Sequence, residues 1–136
     1  MRLYNAPDGG ARPAIVFVHG GGFVLGNLES HDAMCRALAN GSGAVVIAAD
    51  YALAPEHPFP RPLHDVIDVL AWVRREGAVH GIDAGRLAVA GDSAGAQIAL
   101  AVAMEELRGG RAIAYVGLLY PLVDPSQSSP SALTYA

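Results

Sequence analysis

Short apolar runs alternate along this chain with longer segments in which apolar residues recur at helical spacing. The apolar runs predict strands at 14–18, 44–49, 86–90 and 112–119, with an additional edge strand at 2–5. The amphipathic segments predict helices at 31–40, 63–76 and 96–107, the first with Ser30 as its N-cap, and glycines follow each of them. Alternating strands and helices predict an α/β fold, a parallel sheet flanked by helices on both faces.

Two glycine-rich loops follow predicted strands directly. His19-Gly20-Gly21-Gly22 comes after the strand at 14–18, and Gly91-Asp92-Ser93-Ala94-Gly95 comes after the strand at 86–90. In open parallel sheets, ligands bind at the carboxyl ends of the strands. Both loops are therefore predicted to lie on one active-site face.

The second loop has the G-x-S-x-G pattern between a strand and a helix. This pattern predicts a nucleophile elbow, a sharp turn that presents the Ser93 hydroxyl at the top of the sheet. Small residues are required where strand and helix approach closely. The alternative is a structural turn in which Ser93 caps the following helix. Asp92 is expected to brace the elbow, with a helix-capping carboxylate as its alternative role.

The first loop predicts an oxyanion hole. Consecutive glycines let backbone N–H groups approach a substrate oxygen, and Gly21 and Gly22 are the expected donors, with the N–H of Ala94 as the third. His19 is expected to orient this loop by hydrogen bonding, in preference to serving as the catalytic base.

Four motifs occur in order along the chain: HGGGFVLG (19–26), DYALAPEHPFP (50–60), GDSAG (91–95) and YPLVD (120–124). Together they closely resemble the hormone-sensitive-lipase-like carboxylesterases of the α/β-hydrolase fold-3 group. The resemblance implies an α/β-hydrolase sheet and hydrolysis of small short- to medium-chain acyl esters. It also implies an acyl-Ser93 intermediate, an oxyanion hole at Gly21, Gly22 and Ala94, and no cofactor or metal.

The base and acid of a serine triad have no clear counterpart. The usual α/β-hydrolase order is Ser, then acid, then His, but all five histidines precede Ser93. Glu105, Glu106 and Asp124 do not occupy the expected place of the acid. We therefore expect 1–136 to be a single incomplete α/β-hydrolase domain, truncated before its acid and histidine and lacking the C-terminal strands. The strand at 112–119 would then form an exposed edge and favour a homodimer.

Two alternatives to truncation remain at this stage. A rewired site would use His19 or His57 as the base. A non-catalytic, esterase-like binding or interaction module would retain the pocket without turnover. Ester hydrolysis that depends on Ser93 distinguishes such a module from an enzyme.

Composition and charge restrict the classes of partner that are expected for this chain. The net charge is −4 with scattered basic residues, which argues against nucleic-acid binding. No apolar run reaches the roughly 18 residues of a membrane span, and the N-terminus lacks the apolar stretch of a signal peptide, so a cytoplasmic protein is expected. The single cysteine, Cys35, is expected to fill the core.

Other ligand sites fit the pattern poorly. The first glycine loop lacks the third glycine of a dinucleotide-binding fingerprint, and no Lys-Ser/Thr pair follows it as a P-loop requires. His57 and His64 are separated by prolines, which argues against a shared metal ion.

Overall fold

A computed structural model describes residues 1–5, 10–111 and 113–123. Its elements, in chain order, are β1 (Arg2–Tyr4), β2 (Arg12–Val18), α1 (Asp32–Ser42), β3 (Val45–Ala49), α2 (Arg61–Glu76), a 3-10 turn (Gly77–His80), β4 (Ile82–Asp92), α3 (Ala94–Arg108) and β5 (Tyr115–Leu119). The alternation predicted from the apolar pattern is confirmed.

The strands form one sheet in the order β1-β3-β2-β4-β5. The four strands from β2 to β5 are parallel, whereas β1 runs antiparallel to β3, with Arg2 opposite Ala48. The sheet is therefore mixed, and the predicted edge strand at 2–5 is its antiparallel end. Val18 lies opposite both Ala49 and Gly91 in the register. The loops that follow β2, β3 and β4 consequently leave the sheet side by side.

Element boundaries differ from the predictions for local reasons. The N-cap of α1 is His31 and not Ser30, because the Ser30 hydroxyl bonds within the preceding turn to the backbone of Asn27. β4 begins four residues early, at Ile82, which pairs with Arg12 although Asp83 and Gly85 interrupt the apolar pattern. α3 begins two residues early because the Ser93 turn leads directly into it. β5 begins at Tyr115, and residue 112 lies outside the described residues.

Helices cover both faces of the sheet and bury an apolar core. Val66, Leu70 and Val73 of α2 pack with Ile98 and Val102 of α3 over one face. On the opposite face, α1 packs Cys35 and Ala39 against Phe17 and Val46, which confirms Cys35 as a core residue. Full burial of a side chain of valine or leucine size contributes about 1.5–3 kcal/mol. This packing holds the loops at the strand ends in place.

One carboxylate is buried between α2 and the end of α3. Glu106 has no exposed surface, and its oxygens lie 2.6 Å from Nη1 of Arg74 and 2.9 Å from Nε of Arg111. A buried carboxylate is stable only with such partners. Glu106 therefore has a structural ion-pairing role, consistent with its exclusion as the triad acid.

Candidate active site

Ser93 occupies a sharp turn between β4 and α3. Its backbone has φ 51° and ψ −120°, a conformation that non-glycine residues rarely adopt, and it is held by a 2.9 Å hydrogen bond from the Ser93 N–H to the Leu119 carbonyl. The Ser93 side chain makes no capping hydrogen bond to α3. The helix-capping alternative for this hydroxyl is therefore wrong.

The glycines on either side of Ser93 have no room for a side chain. A Cβ on Gly95 would collide with the carbonyl oxygens of Val18 and His19, and a Cβ on Gly91 would lie 2.6 Å from the carbonyl oxygens of Val18 and Gly95. The turn therefore packs against the end of β2 at backbone distance. This contact sets the elbow beside the first glycine loop.

Asp92 joins the two loops across 72 residues of sequence. Its Oδ1 accepts a 2.9 Å hydrogen bond from the Gly20 N–H, and the side chain is buried. Asp92 thus bonds to the opposite loop, and among the described residues it makes no helix-capping hydrogen bond. Gly20 itself packs on Asp92 so closely that any Cβ would strike the carboxylate.

Three backbone N–H groups beside the elbow make no hydrogen bond within the described part of the chain. They belong to Gly21, Gly22 and Ala94, the three donors predicted for the oxyanion hole. Gly21 has φ 126°, and its carbonyl accepts bonds from the N–H groups of Val24 and Leu25, which close the loop into a tight turn. The dipole of α3 adds a favourable field for negative charge at the helix start.

His19 is enclosed behind the first glycine loop. Its ring stacks on Tyr51 at 4.3 Å between centroids, and Nδ1 lies 2.8 Å from the Gly20 carbonyl oxygen. Burial lowers the pKa of His19, which favours the neutral ring. Gly26 packs against this ring without room for a Cβ. His19 therefore contacts the first glycine loop at Gly20 and Gly26.

Sequence reasoning missed two residues of this cluster. Tyr51 donates its hydroxyl to the His19 carbonyl at 2.7 Å, and His31 places Nε2 3.4 Å from Asp92 Oδ1. Tyr51 belongs to the DYALAPEHPFP motif at 50–60, but that motif does not predict its contact with His19. His31 was assigned merely to a helix, because its distance from Asp92 in sequence conceals their contact.

An apolar cavity of about 390 Å³ lies between the proline-rich loop and the part of α3 that begins at Gln97. Phe23, which follows the first glycine loop, lies in the wall of this cavity, and Gln97, whose N–H donates to the Ser93 carbonyl, contributes from α3. The remaining lining comes mainly from the proline-rich loop and the starts of α2 and α3: Ala54, His57, Pro58, Phe59, Pro62, Leu63, Ile98 and Ala101. Val24 is half exposed and lies outside this wall. Cavities of this size suit small ligands.

No histidine hydrogen-bonds to Ser93 among residues 1–5, 10–111 and 113–123. In the same ranges no group of three or more His, Cys, Asp or Glu side chains is arranged to hold a metal ion. No described helix is both long and apolar enough to span a membrane.

Comparison with known proteins identifies the family. The profile described as "alpha/beta hydrolase fold" matches residues 15–136. The chain belongs to the hormone-sensitive-lipase-like α/β-hydrolase family. It is 45% identical over 134 residues to Esterase LipI of Mycobacterium tuberculosis, and 40% identical over 141 residues to the ethyl acetate hydrolase of Pseudomonas putida. These alignments cover 96% and 99% of this chain but only 42% and 44% of the relatives.

Solved structures of esterases share the fold. A hyperthermophilic esterase from the archaeon Pyrobaculum calidifontis superposes with a TM-score of 0.85 at 48% identity, covering 89% of this chain and 40% of that one. An α/β-hydrolase enzyme from the metagenome of Lake Arreo superposes with a TM-score of 0.91 at 43% identity, covering 98% and 43%. The predicted fold class is thereby confirmed, and the chain spans about two fifths of the length of these relatives.

Proposed function

We propose that this chain carries the nucleophile and oxyanion hole of a carboxylic ester hydrolase, with Ser93 forming an acyl intermediate. The observation that carries the proposal is the backbone of Ser93, at φ 51°, with a hydroxyl that does not cap its helix. Strained backbone at a strand–helix turn is a feature of nucleophiles, because the turn holds the reacting oxygen away from the protein.

The reaction requires charge stabilisation beside Ser93. Attack of Oγ on the ester carbonyl carbon turns the carbonyl oxygen into an oxyanion, which must accept hydrogen bonds from fixed donors. The N–H groups of Gly21, Gly22 and Ala94 have no other partner among the described residues. Loss of one such donor typically costs about 10²–10³ in kcat. His19 and Asp92 are proposed to hold the loop that carries two of them.

The substrate class follows from the cavity and the relatives. An apolar volume of about 390 Å³, lined by Phe23 after the first glycine loop and by Gln97 after the Ser93 turn, suits the acyl or alcohol part of a short- to medium-chain ester. One relative is an ethyl acetate hydrolase, itself active on a small ester by its name. We therefore propose small apolar esters as substrates.

The general base and its acid are proposed to lie outside these 136 residues. Every histidine precedes Ser93, and His19 is committed to the oxyanion loop by its buried stacking on Tyr51. His57 is exposed and lines the cavity, so it is the one histidine to test as a substitute base.

A chimera tests the proposal. It continues from the YPLVD motif at 120–124 into the remainder of the Pseudomonas putida ethyl acetate hydrolase. We expect the chimera to hydrolyse p-nitrophenyl acetate, and Ser93→Ala to lower kcat by about three orders of magnitude or more. Ser42→Ala, at the end of α1, is the matched control. Undiminished hydrolysis by the Ser93→Ala chimera would refute the nucleophile.

The 136-residue chain, assayed in parallel, distinguishes the other possibilities. An inert chain beside an active chimera supports a base outside the chain. Activity of the chain alone that vanishes in both Ser93→Ala and His57→Gln supports the rewired site. If chain and chimera are both inert yet retain saturable binding of an apolar ester, the function is that of a binding module.

A further inference from the structure

A polar cluster behind the two catalytic loops connects α1 to the site. His31 stands at the start of α1, Asp92 ends β4, and His19 follows β2. The His31 ring lies 5.3 Å from the His19 ring and 6.3 Å from the Phe17 ring between centroids. Three elements distant in sequence therefore meet through one imidazole.

Asp92 is contacted by the Gly20 N–H and by the His31 ring. The carboxylate is 6% exposed, and the Gly20 N–H supplies one hydrogen bond to Oδ1. Within the described ranges, His31 is the only basic side chain within ion-pair distance of Asp92, with Nε2 3.4 Å from the same Oδ1. A buried carboxylate with too few donors is unstable and rotates or takes up a proton.

The His31 side chain does not cap the N-terminus of α1. It occupies the N-cap position of α1 yet makes no capping hydrogen bond. Its Nδ1 instead lies 2.9 Å from the Ser30 hydroxyl, which fixes the ring with Nε2 towards Asp92. The tautomer with a hydrogen on Nε2 is the one that can donate to this carboxylate. The ring is thus oriented for Asp92.

A small movement of Asp92 would displace both glycine-rich loops. Asp92 directly precedes Ser93 in the chain. Its hydrogen bond from the Gly20 N–H also holds the residue that directly precedes Gly21. Donors and nucleophile have to stay within about 0.5 Å of their productive positions. The orientation of the Asp92 carboxylate therefore affects the distance between these loops, together with the backbone packing of Gly91 and Gly95 against the end of β2.

We propose that His31 is a positioning residue that orients Asp92, and thereby sets the Gly20 N–H and the oxyanion loop relative to Ser93. The positional part stands on the contacts above. Its catalytic consequence rests on the proposed function, because the oxyanion role of Gly21 and Gly22 belongs to that proposal.

Hydrogen exchange of the Gly20 amide measures the positioning directly in the 136-residue chain. His31→Phe keeps the ring but removes the N–H, and we expect exchange at Gly20 to accelerate about tenfold or more relative to the Gly43 amide. His31→Gln retains a donor and should restore Gly20 exchange to within about threefold of the native rate. His64→Phe, on the exposed start of α2, is the matched control.

A measurement on the native chain covers the case in which His31→Phe does not fold. The charged and titratable groups around the ring are Asp92 on β4, His19 after β2 and the neighbouring Asp32 of α1. NMR titration with labelled histidine should show the Gly20 amide resonance moving with the midpoint of the His31 ring and not with that of His19.

The outcomes separate the two proposals. If neither the exchange rate nor the resonance of the Gly20 amide changes with His31, the positioning role is overturned, whether or not the chimera hydrolyses esters. A Gly20 amide that responds to His31, in a protein whose chimera is inert, would leave the positioning role standing and overturn the proposed function. In an active chimera, His31→Phe should lower kcat about tenfold or more with little change in KM, and His31→Gln should restore it.

Discussion

The hydroxyl of Tyr51 donates to the backbone carbonyl of His19 at 2.7 Å, and both groups are buried. Tyr51 follows the end of β3 and His19 follows the end of β2, so this bond ties two strand ends together beside the first glycine loop. Burial raises the pKa of Tyr51, which keeps the hydroxyl protonated and able to donate.

Tyr51→Phe is expected to destabilise the protein by about 1–3 kcal/mol, because the buried His19 carbonyl loses its partner while the ring stacking remains. Urea unfolding followed by circular dichroism gives the free energy. Tyr4→Phe is the matched control: Tyr4 bonds the less buried Asp32 carboxylate, which water can solvate, so its loss should stay below about 1 kcal/mol. Equal losses in the two variants would contradict the role assigned to Tyr51.

Gly95→Ala is expected to lower the free energy of unfolding by about 1–3 kcal/mol or more, because the new methyl group meets the carbonyls of Val18 and His19. Thermal and urea unfolding measure the loss. Gly41→Ala is the control, since Gly41 lies in α1 with open space around its Cβ position. There the exchange should be neutral or stabilising by up to about 1 kcal/mol. A tolerated Gly95→Ala would mean that elbow and β2 do not approach at backbone distance.

Stability should fall as the pH falls through the ordinary range of histidine. Burial lowers the pKa of His19 below its ordinary 6.5, so the unfolded chain takes up a proton that the folded chain refuses. The contribution of neutral His19 to the free energy of unfolding is fully present above pH 6.5. It is lost as the pH falls below 6.5, by at most about 1.4 kcal/mol per pH unit. Nearby Asp50 and Asp92 oppose the shift, and His31 adds to it.

Urea titrations at about pH 7.5 and about pH 5.5 test this pH dependence. His19→Gln should reduce the difference between the two free energies, whereas His64→Gln, at an exposed position, should retain it. A His19→Gln variant with the native pH dependence would show that another group takes up the proton.

The predicted homodimer depends on β5, which forms one edge of the described sheet. Tyr115 and Leu119 on this strand are 69% and 40% exposed, and unpaired edge strands favour pairing with a second copy. We expect concentration-dependent self-association of the 136-residue chain in analytical ultracentrifugation. Tyr115→Lys should weaken it about tenfold or more, because edge lysines oppose strand pairing. Val79→Lys is the control, because Val79 is at least as exposed as Tyr115 but lies in the 3-10 turn and not on β5. A strictly monomeric native chain would refute this prediction.

The sequence by itself was sufficient for the fold class and for the two loops. Their signals are local: apolar runs of strand length, amphipathic segments of helix length, and glycines at positions such as Gly95 where neighbouring backbone excludes a Cβ. Family motifs then linked these loops to ester hydrolysis, and the comparisons confirm the family.

Element ends were predicted less well, because they depend on partners distant in sequence. Ile82 joins β4 through its pairing with Arg12, although the residues that follow it are polar. Ser30 resembles an N-cap, but its hydroxyl bonds to Asn27 and His31 instead. Local propensity cannot register such competition between hydrogen-bond partners.

Tertiary structure alone decided which side chains support the site. Asp92 reaches Gly20 across 72 residues, and Tyr51 reaches His19 across 32. His31 reads in sequence as the first residue of a helix, and only the packing of α1 against the sheet brings it to Asp92. Ser93 and the glycines of the two loops are visible in sequence because they need special backbone geometry, which requires particular residues at adjacent positions. Their supporting side chains need only proximity, and proximity is set when the strand ends assemble.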